Sequence, residues 1–111
     1  MHSPELFKGT LQTIILKLLA DNGSMYGYEI TQRVRQLSDD KLQLTEGALY
    51  PTLHKLEAEG LLSTEKVSIG KRVRKYYCLT ERGNSSVASR IEEFEAFITT
   101  MWNVLQINTS T

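Results

Sequence analysis

Apolar residues recur along this chain with two different periods, and the change of period marks out its elements. In 6–20, LFKGTLQTIILKLLA, the residues Phe7, Leu11, Ile14 and Leu18 fall at steps of four, three and four, with Ile15 and Leu19 beside them. This is the wide apolar stripe of an amphipathic helix. Asp21-Asn22-Gly23-Ser24 supplies the turn and C-cap chemistry to end it. YGYEITQRVRQL, 26–37, repeats the pattern in shorter form: Ile30, Val34 and Leu37 share a face, and Arg33 and Arg35 point outward. Ser38-Asp39-Asp40 breaks this second helix, and the alternation in Lys41-Leu42-Gln43-Leu44 predicts a very short strand. A third helix is predicted over TEGALYPTLHKLEAEG, with Thr45 as N-cap, Leu49, Leu53 and Leu56 as its buried stripe, and Gly60 in the C′ position. Pro51 lies inside it and removes a backbone bond to Gly47. A loose or bent first turn is therefore expected, with regular helix only from about Tyr50.

From residue 61 the pattern changes. LLSTEKV (61–67) and VRKYYCL (73–79) are rich in β-branched and aromatic residues and read as two strands, which SIGKR joins into a hairpin. Thr80 then caps a long final helix that carries Glu81 in its first turn. Val87, Ile91, Phe94, Ile98, Met101 and Leu105 are spaced 4, 3, 4, 3 and 4, a heptad seam that Phe97, Met101 and Val104 widen. The residues after Gln106 read as a frayed end. The order helix, helix, helix, hairpin, long helix gives a fold class that is mainly α with a small β-hairpin (α+β). It is a winged helix-turn-helix over residues 1–79, followed by a C-terminal dimerisation helix over 80–111. Helix 46–59 takes the place of the recognition element and the hairpin that of the wing.

Charge sharpens this picture. Thirteen Lys and Arg balance thirteen Asp and Glu, yet Lys71, Arg72, Arg74 and Lys75 lie within five residues. Like charges that close repel one another, and an approaching polyanion offsets the repulsion. At a wing tip these side chains would neutralise DNA phosphates and release counterions; a solvated charged loop is the plainer alternative. Once its leucines are removed, the third helix presents Glu46, Gly47, Ala48, Tyr50, Pro51, His54 and Lys55. Tyr50 can bond a phosphate or pack on a thymine methyl, and His54 and Lys55 can reach base edges or backbone. Tyr50 as a packing aromatic and Lys55 as a solvent lysine remain open.

Composition excludes more than it assigns. The chain has 111 residues, 41% of them hydrophobic, which suits one domain with a real core. One Cys leaves no internal disulfide and no thiol-rich zinc site. His54 has only His2 for company, so no metal and no cofactor is expected. No Gly-rich phosphate loop or nucleophile elbow is present, and Cys78, in mid-strand, reads as structural, so no enzymatic activity is expected. No apolar run approaches the roughly 20 residues that span a bilayer. MHSPELFKG has no signal-peptide apolar region, and a cytoplasmic location is the expectation. The seam of Val87, Ile91, Phe94, Ile98, Met101 and Leu105 exceeds what so small a domain can cover, which predicts a two-fold dimer. Phe94, Phe97, Met101 and Trp102 cluster there as dimer core or as an apolar pocket for a flat ligand.

YGYEI (26–30), LTEGALYPTLHKLEAEGLL (44–62), RKYYCLTERG (74–83) and GTLQTIILKLLA (9–20) together resemble the PadR family of bacterial transcriptional regulators. The resemblance runs continuously over residues 8–83, and the following helix has the family's place and length. It implies a dimeric winged helix-turn-helix, usually a repressor, of the small branch with a single C-terminal helix. It carries DNA contacts over to Thr45, Gly47, Tyr50, Lys55, Lys71, Arg72 and Arg74; the residue types themselves add His54 and Lys75. Some members bind planar aromatic ligands between dimerisation helices beside a mid-helix tryptophan. Here Phe94 stands at that place, and Trp102 comes two turns later. The wing departs too, with Val73 where a charge is expected. The expectation is thus a homodimeric repressor on an inverted-repeat operator with a possible small aromatic effector. A winged-helix protein-interaction module, or a small enzyme or ligand carrier, is the alternative.

Overall fold

The first stripe of apolar residues builds the centre of the molecule. In the computed structural model, which describes residues 7 and 9–107, helix α1 (Leu11–Asn22) buries Leu11, Ile15, Leu16, Leu18 and Leu19. It is contacted by later elements on several sides, so its apolar face is broader than a single seam. The helix begins later than the predicted residue 6. Thr10 turns back, its N–H and its hydroxyl both donating to the Phe7 carbonyl, and such a side-chain bond competes with continued helix. Residues 6 and 8 of the predicted span, like His2 and the final four residues, lie outside the described residues. Gly23, at φ 78°, closes α1 within the Asp21–Ser24 stretch expected to end it.

Met25–Tyr26 forms a two-residue strand, β1, and α2 (Gly27–Leu37) follows it directly. The Glu29 carboxylate accepts the Tyr26 N–H, which fixes the start of α2. Ile30 and Val34 are buried as expected, but Leu37 is 63% exposed. It lies at the last turn, where it borders an open groove instead of the core. Lys41–Leu44 is not a strand. Leu44 is buried and Leu42 half-buried, so the alternation is real. No neighbouring strand offers it a ladder, and the Leu42 N–H is taken by the Ser38 hydroxyl instead.

Helix α3 (Glu46–Ala58) starts on Thr45, whose Oγ1 accepts the Ala48 N–H at 3.2 Å. Regular helix does not wait for Tyr50 as expected: α3 is helical from Glu46 and continues through Pro51. The proline deprives only the Gly47 carbonyl of its donor, and Gly47 lies on the exposed first turn, where water can replace the missing bond. Leu49, Leu53 and Leu56 have no solvent exposure and hold the helix to the core on both sides of the proline. At its end Gly60, at φ 80°, gives a Schellman motif, with Gly60 N–H to Glu57 O and Leu61 N–H to Leu56 O.

Strands β2 (Leu62–Ile69) and β3 (Arg72–Leu79) form an antiparallel hairpin, and β1 pairs with the far edge of β3, giving the sheet order β1-β3-β2. The sequence pattern misses β1, because two residues show no period. It also makes the connection too long, ending the first hairpin strand at Val67 and starting the second at Val73: the turn is Gly70-Lys71 alone, and Ile69 pairs with Arg72. Gly70, at φ 62°, supplies the left-handed residue that a two-residue hairpin turn demands.

The final helix, α4 (Glu81–Leu105), springs from a dense contact. Thr80 donates its N–H to the Leu61 carbonyl and its hydroxyl to the Gly60 carbonyl at 2.7 Å, while Oγ1 accepts the Gly83 N–H. Gly83 is buried directly against the Leu61 backbone, where a Cβ would overlap the carbonyl oxygen. From this base α4 lies along α1 and then runs past the core, which stretches the molecule to 56 × 29 × 21 Å. Among the described residues the fold is thus four helices of eleven residues or more and a small three-stranded antiparallel sheet. No described helix is long and apolar enough to cross a membrane.

This contact is testable by two substitutions. Gly83→Ala forces Leu61 away from α4 and is expected to cost about 1–3 kcal/mol in urea unfolding. Thr80→Ala, which loses a cap and a buried hydrogen bond, should cost about 1–2 kcal/mol, and Thr80→Ser should recover most of it.

Candidate nucleic-acid interface

The stripe that anchors α3 decides what the helix shows to solvent. With Leu49, Leu53 and Leu56 turned inward, Thr45, Glu46, Gly47, Pro51, His54 and Lys55 are all exposed on the outer surface. Gly47 has open space around its α-carbon; the nearest atom to an added Cβ is the Thr45 hydroxyl, at 3.9 Å. A backbone can approach this turn closely, and its free N–H groups sit at the positive end of the helix dipole. Thr45 uses its oxygen as the cap and keeps its hydroxyl hydrogen to donate. Tyr50 is half-buried. Its phenol packs over Gly27 at the start of α2, where any Cβ would collide with the hydroxyl. Gly27 is thus the residue that lets α2 and α3 close on each other.

The hairpin carries the basic cluster and divides it between its two sides. Along β3 alternate residues point to opposite sides. Tyr77 is buried on the helix-facing side, so Val73 and Lys75 share that side, while Arg72, Arg74, Tyr76 and Cys78 share the other. Lys71 occupies the turn itself. Lys71 and Arg72 are exposed, with no ion pair among the described residues. Lys75 is half-buried, its ammonium 5.4 Å from the centre of the Tyr77 ring. Arg74 is engaged on the outer side. Its guanidinium lies 4.1 Å from the Tyr26 ring centroid, and Tyr26 in turn meets Tyr76 edge-on at 5.4 Å. A hydrogen bond to Tyr76 is the largest cause raising the Arg74 pKa, so this side chain stays charged while bracing the wing against β1. Cys78 is half-buried, with Sγ 3.1 Å from the Ser63 hydroxyl.

Two residues of this surface escape a reading of the sequence alone. Tyr26, the platform for Arg74, lies some fifty positions away from it, and only the β1–β3 pairing joins them. Lys66 pairs directly with Lys75 across the hairpin. That register becomes legible once the turn is known to be Gly70-Lys71.

On α4, Val87 packs against the core. Ile91 and Phe94 border an apolar groove of about 640 Å³ between α1, α2 and α4, together with Ile14, Leu18, Val34 and Leu37. Met101 is half-buried, whereas Phe97, Ile98, Trp102, Val104 and Leu105 are exposed. Of the four aromatic and Met residues expected to share a pocket, Phe94 alone lines this groove; Phe97, Met101 and Trp102 lie further along the helix.

This arrangement of helices and hairpin has counterparts among known proteins. Residues 15–89 match the family model described as the transcriptional regulator PadR-like family. The chain belongs to the PadR-like family. It is 36% identical over 83 residues to a transcriptional regulator of Mycobacterium tuberculosis, covering 75% of this chain and 74% of that protein. An uncharacterised protein of Lysinibacillus sphaericus is 30% identical over 96 residues, 85% of this chain and 86% of the other. Among solved structures, a transcriptional regulator from Clostridium thermocellum superposes with a TM-score of 0.82 at 30% identity, covering 91% of this chain and 95% of its own. A PadR family regulator from Eggerthella lenta superposes at 0.79 with 29% identity, covering 94% and 88%. This PadR-like chain is accordingly a transcriptional regulator built on a winged-helix fold.

Tyr77 gives a test of how α3 and the wing are joined. Burial is the main cause that raises its phenol pKa above the ordinary 10.0, with Lys75 opposing. The folded state therefore favours the neutral phenol. The stability this gives is complete below the ordinary value and is lost as pH rises through the folded one. Unfolding free energy from urea titrations should fall from about pH 9 to about pH 11, and Tyr77→Phe should make that decline shallower.

Proposed function

We propose that this PadR-like regulator is a homodimeric repressor that occupies an inverted-repeat operator, acting in the cytoplasm. The reading is carried by one observation: Lys71 and Arg72 at the hairpin end are exposed and without ion pairs among the described residues, and the outer face of α3 is exposed as well. Cations left without partners in the free protein are available to phosphates, and their binding releases counterions. In this reading α3 lies in the major groove, with Thr45 and Gly47 at the backbone and Tyr50, His54 and Lys55 toward base edges. Lys71, Arg72 and Lys75 neutralise phosphate beside it, and Arg74 adds its charge while holding the wing in place.

Residues 80–111 serve as the dimerisation arm. Beyond the core α4 carries Ile98, Trp102, Val104 and Leu105 with large exposed areas, and a second copy gives this surface a matching partner through Val87, Ile91, Phe94, Ile98, Met101 and Leu105. Two-fold symmetry then sets the two recognition helices about 34 Å apart, one turn of DNA. An apolar effector at Phe94, Phe97, Met101 and Trp102 would change the angle between the arms, and it acts only by binding one spacing better than the other.

Fluorescence anisotropy with DNA from upstream of the protein's own gene tests the DNA half of this reading. Binding should weaken as salt rises, and Arg72→Ala/Arg74→Ala should weaken it at least several-fold. Salt-independent binding, or an unaffected double variant, would sink it. Sedimentation tests the dimer half. Ile98→Glu/Leu105→Glu places charges on exposed positions, so helix content should persist while the species shifts to monomer; an unchanged dimer would place the interface elsewhere.

A further inference from the structure

The hairpin sets two lysines face to face. Lys66 on β2 and Lys75 on β3 are direct cross-strand partners, so they stand on one side of the wing. That side faces α3. One row nearer the sheet base, on the same side, the Thr64 hydroxyl reaches the Glu57 carboxylate of α3 at 3.5 Å, and Tyr77 is buried. Lys66 is exposed and has no ion pair among the described residues. The hairpin's one carboxylate, Glu65, pairs with Tyr76 and therefore points to the opposite side. Like charges directly opposite one another destabilise a strand pair. On this side the Lys75 ammonium lies 5.4 Å from the Tyr77 ring and the Glu57 carboxylate sits one row nearer the base, which reduces the repulsion in part, but neither lysine has an ion pair among the described residues.

We infer that Lys66 and Lys75 form a phosphate-binding pair that holds a DNA strand in the cleft between the wing and α3. The inference rests on the DNA-binding reading above and adds to it a residue and a side. The inner face of the wing carries this contact through Lys66 and Lys75, while Arg74 is stacked on the outer face. A phosphodiester backbone entering the cleft supplies the anion that the two ammonium groups lack. Lys75 is the better placed for it, since its ammonium is already held near the Tyr77 ring, 5.4 Å from its centre, and has less freedom to lose. Because the contact is to phosphate, it carries no sequence information.

Lys66→Gln and Lys75→Gln test this, with Lys41→Gln as a lysine remote from the wing. DNA affinity is measured across salt from about 50 to about 200 mM, on upstream DNA and on unrelated DNA. Each of the two wing variants should make the slope of log affinity against log salt shallower by about 1, with equal loss on both DNAs, and Lys41→Gln should not. Free Lys66→Gln protein should melt at a higher temperature than the parent in low salt, and this gain should vanish in high salt. The inference is overturned alone if the parent binds DNA with a steep salt slope that Lys66→Gln leaves unchanged, or if Lys66→Gln melts lower in low salt. If the parent binds no DNA under any of these conditions, the DNA-binding reading fails and takes this inference with it.

Discussion

The backbone at Gly60-Leu61 is the point on which the arrangement depends. Gly60 ends α3 in a left-handed turn, Leu61 opens the wing, and the carbonyls of both accept from Thr80 at the base of α4. Three functional parts therefore meet at two peptide units. The absence of a side chain at Gly83 lets α4 lie against the Leu61 backbone. A hydrogen bond at 2.7 Å in a half-buried setting and a backbone contact of this closeness tolerate little adjustment. Any change in the direction of α4 acts first on the end of α3 and the root of the hairpin. A movement of α4 is in this way tied to the end of α3, with no long loop between them to absorb it.

The hairpin shows how strand geometry distributes one cluster of charge over two tasks. Four of the residues in 71–75 are cationic and look alike in sequence, but the pleat sends Arg72 and Arg74 to one side and Lys75 to the other, with Lys71 at the turn. On the outer side Arg74, Tyr26 and Tyr76 make a stack that secures the wing to β1. A planar guanidinium suits such a stack better than an ammonium does. On the inner side the cations are lysines, compact charges on flexible stems, and they look onto α3. The chain's zero net charge hides this local concentration, which long-range balance with the acidic surface elsewhere does not cancel within a Debye length of about 8–10 Å.

The far half of α4 is out of keeping with the rest of the chain. The core around α1 leaves no described side-chain polar atom buried without a partner, and its apolar residues are closed from solvent. By contrast α4 buries only Gly83, and its seam of large apolar residues stays half-buried or exposed. The groove between α1, α2 and α4 continues the same apolar character back to Leu37. Such surface is costly to leave in water, about 25 cal/mol per Å². It is the feature of this molecule that a second chain would most change.

Much of this protein is written in its periodicities. The stripes of Leu11, Ile15 and Leu19 and of Leu49, Leu53 and Leu56, the caps at Thr45 and Thr80, and the heptad spacing from Val87 to Leu105 are local signals, because a helix repeats within a few residues and its neighbours in space are near in sequence. The motifs around YGYEI and RKYYCLTERG made the family legible as well. What sequence alone left undecided depended on partners far along the chain. β1 exists because β3 arrives to pair with it, and Lys41–Leu44 stays irregular because no strand does. Leu37 falls on the right face of α2 yet remains exposed, since burial depends on what stands opposite and not on period. Pro51 shows the same limit: the loss of one backbone bond is visible in the sequence, whereas the three leucines that anchor α3 on both sides of it act through the core they share with other elements. That Arg74 and Lys75 stand on opposite faces of the strand follows from alternation alone, but which face looks onto α3 was decided by the burial of Tyr77, a tertiary contact.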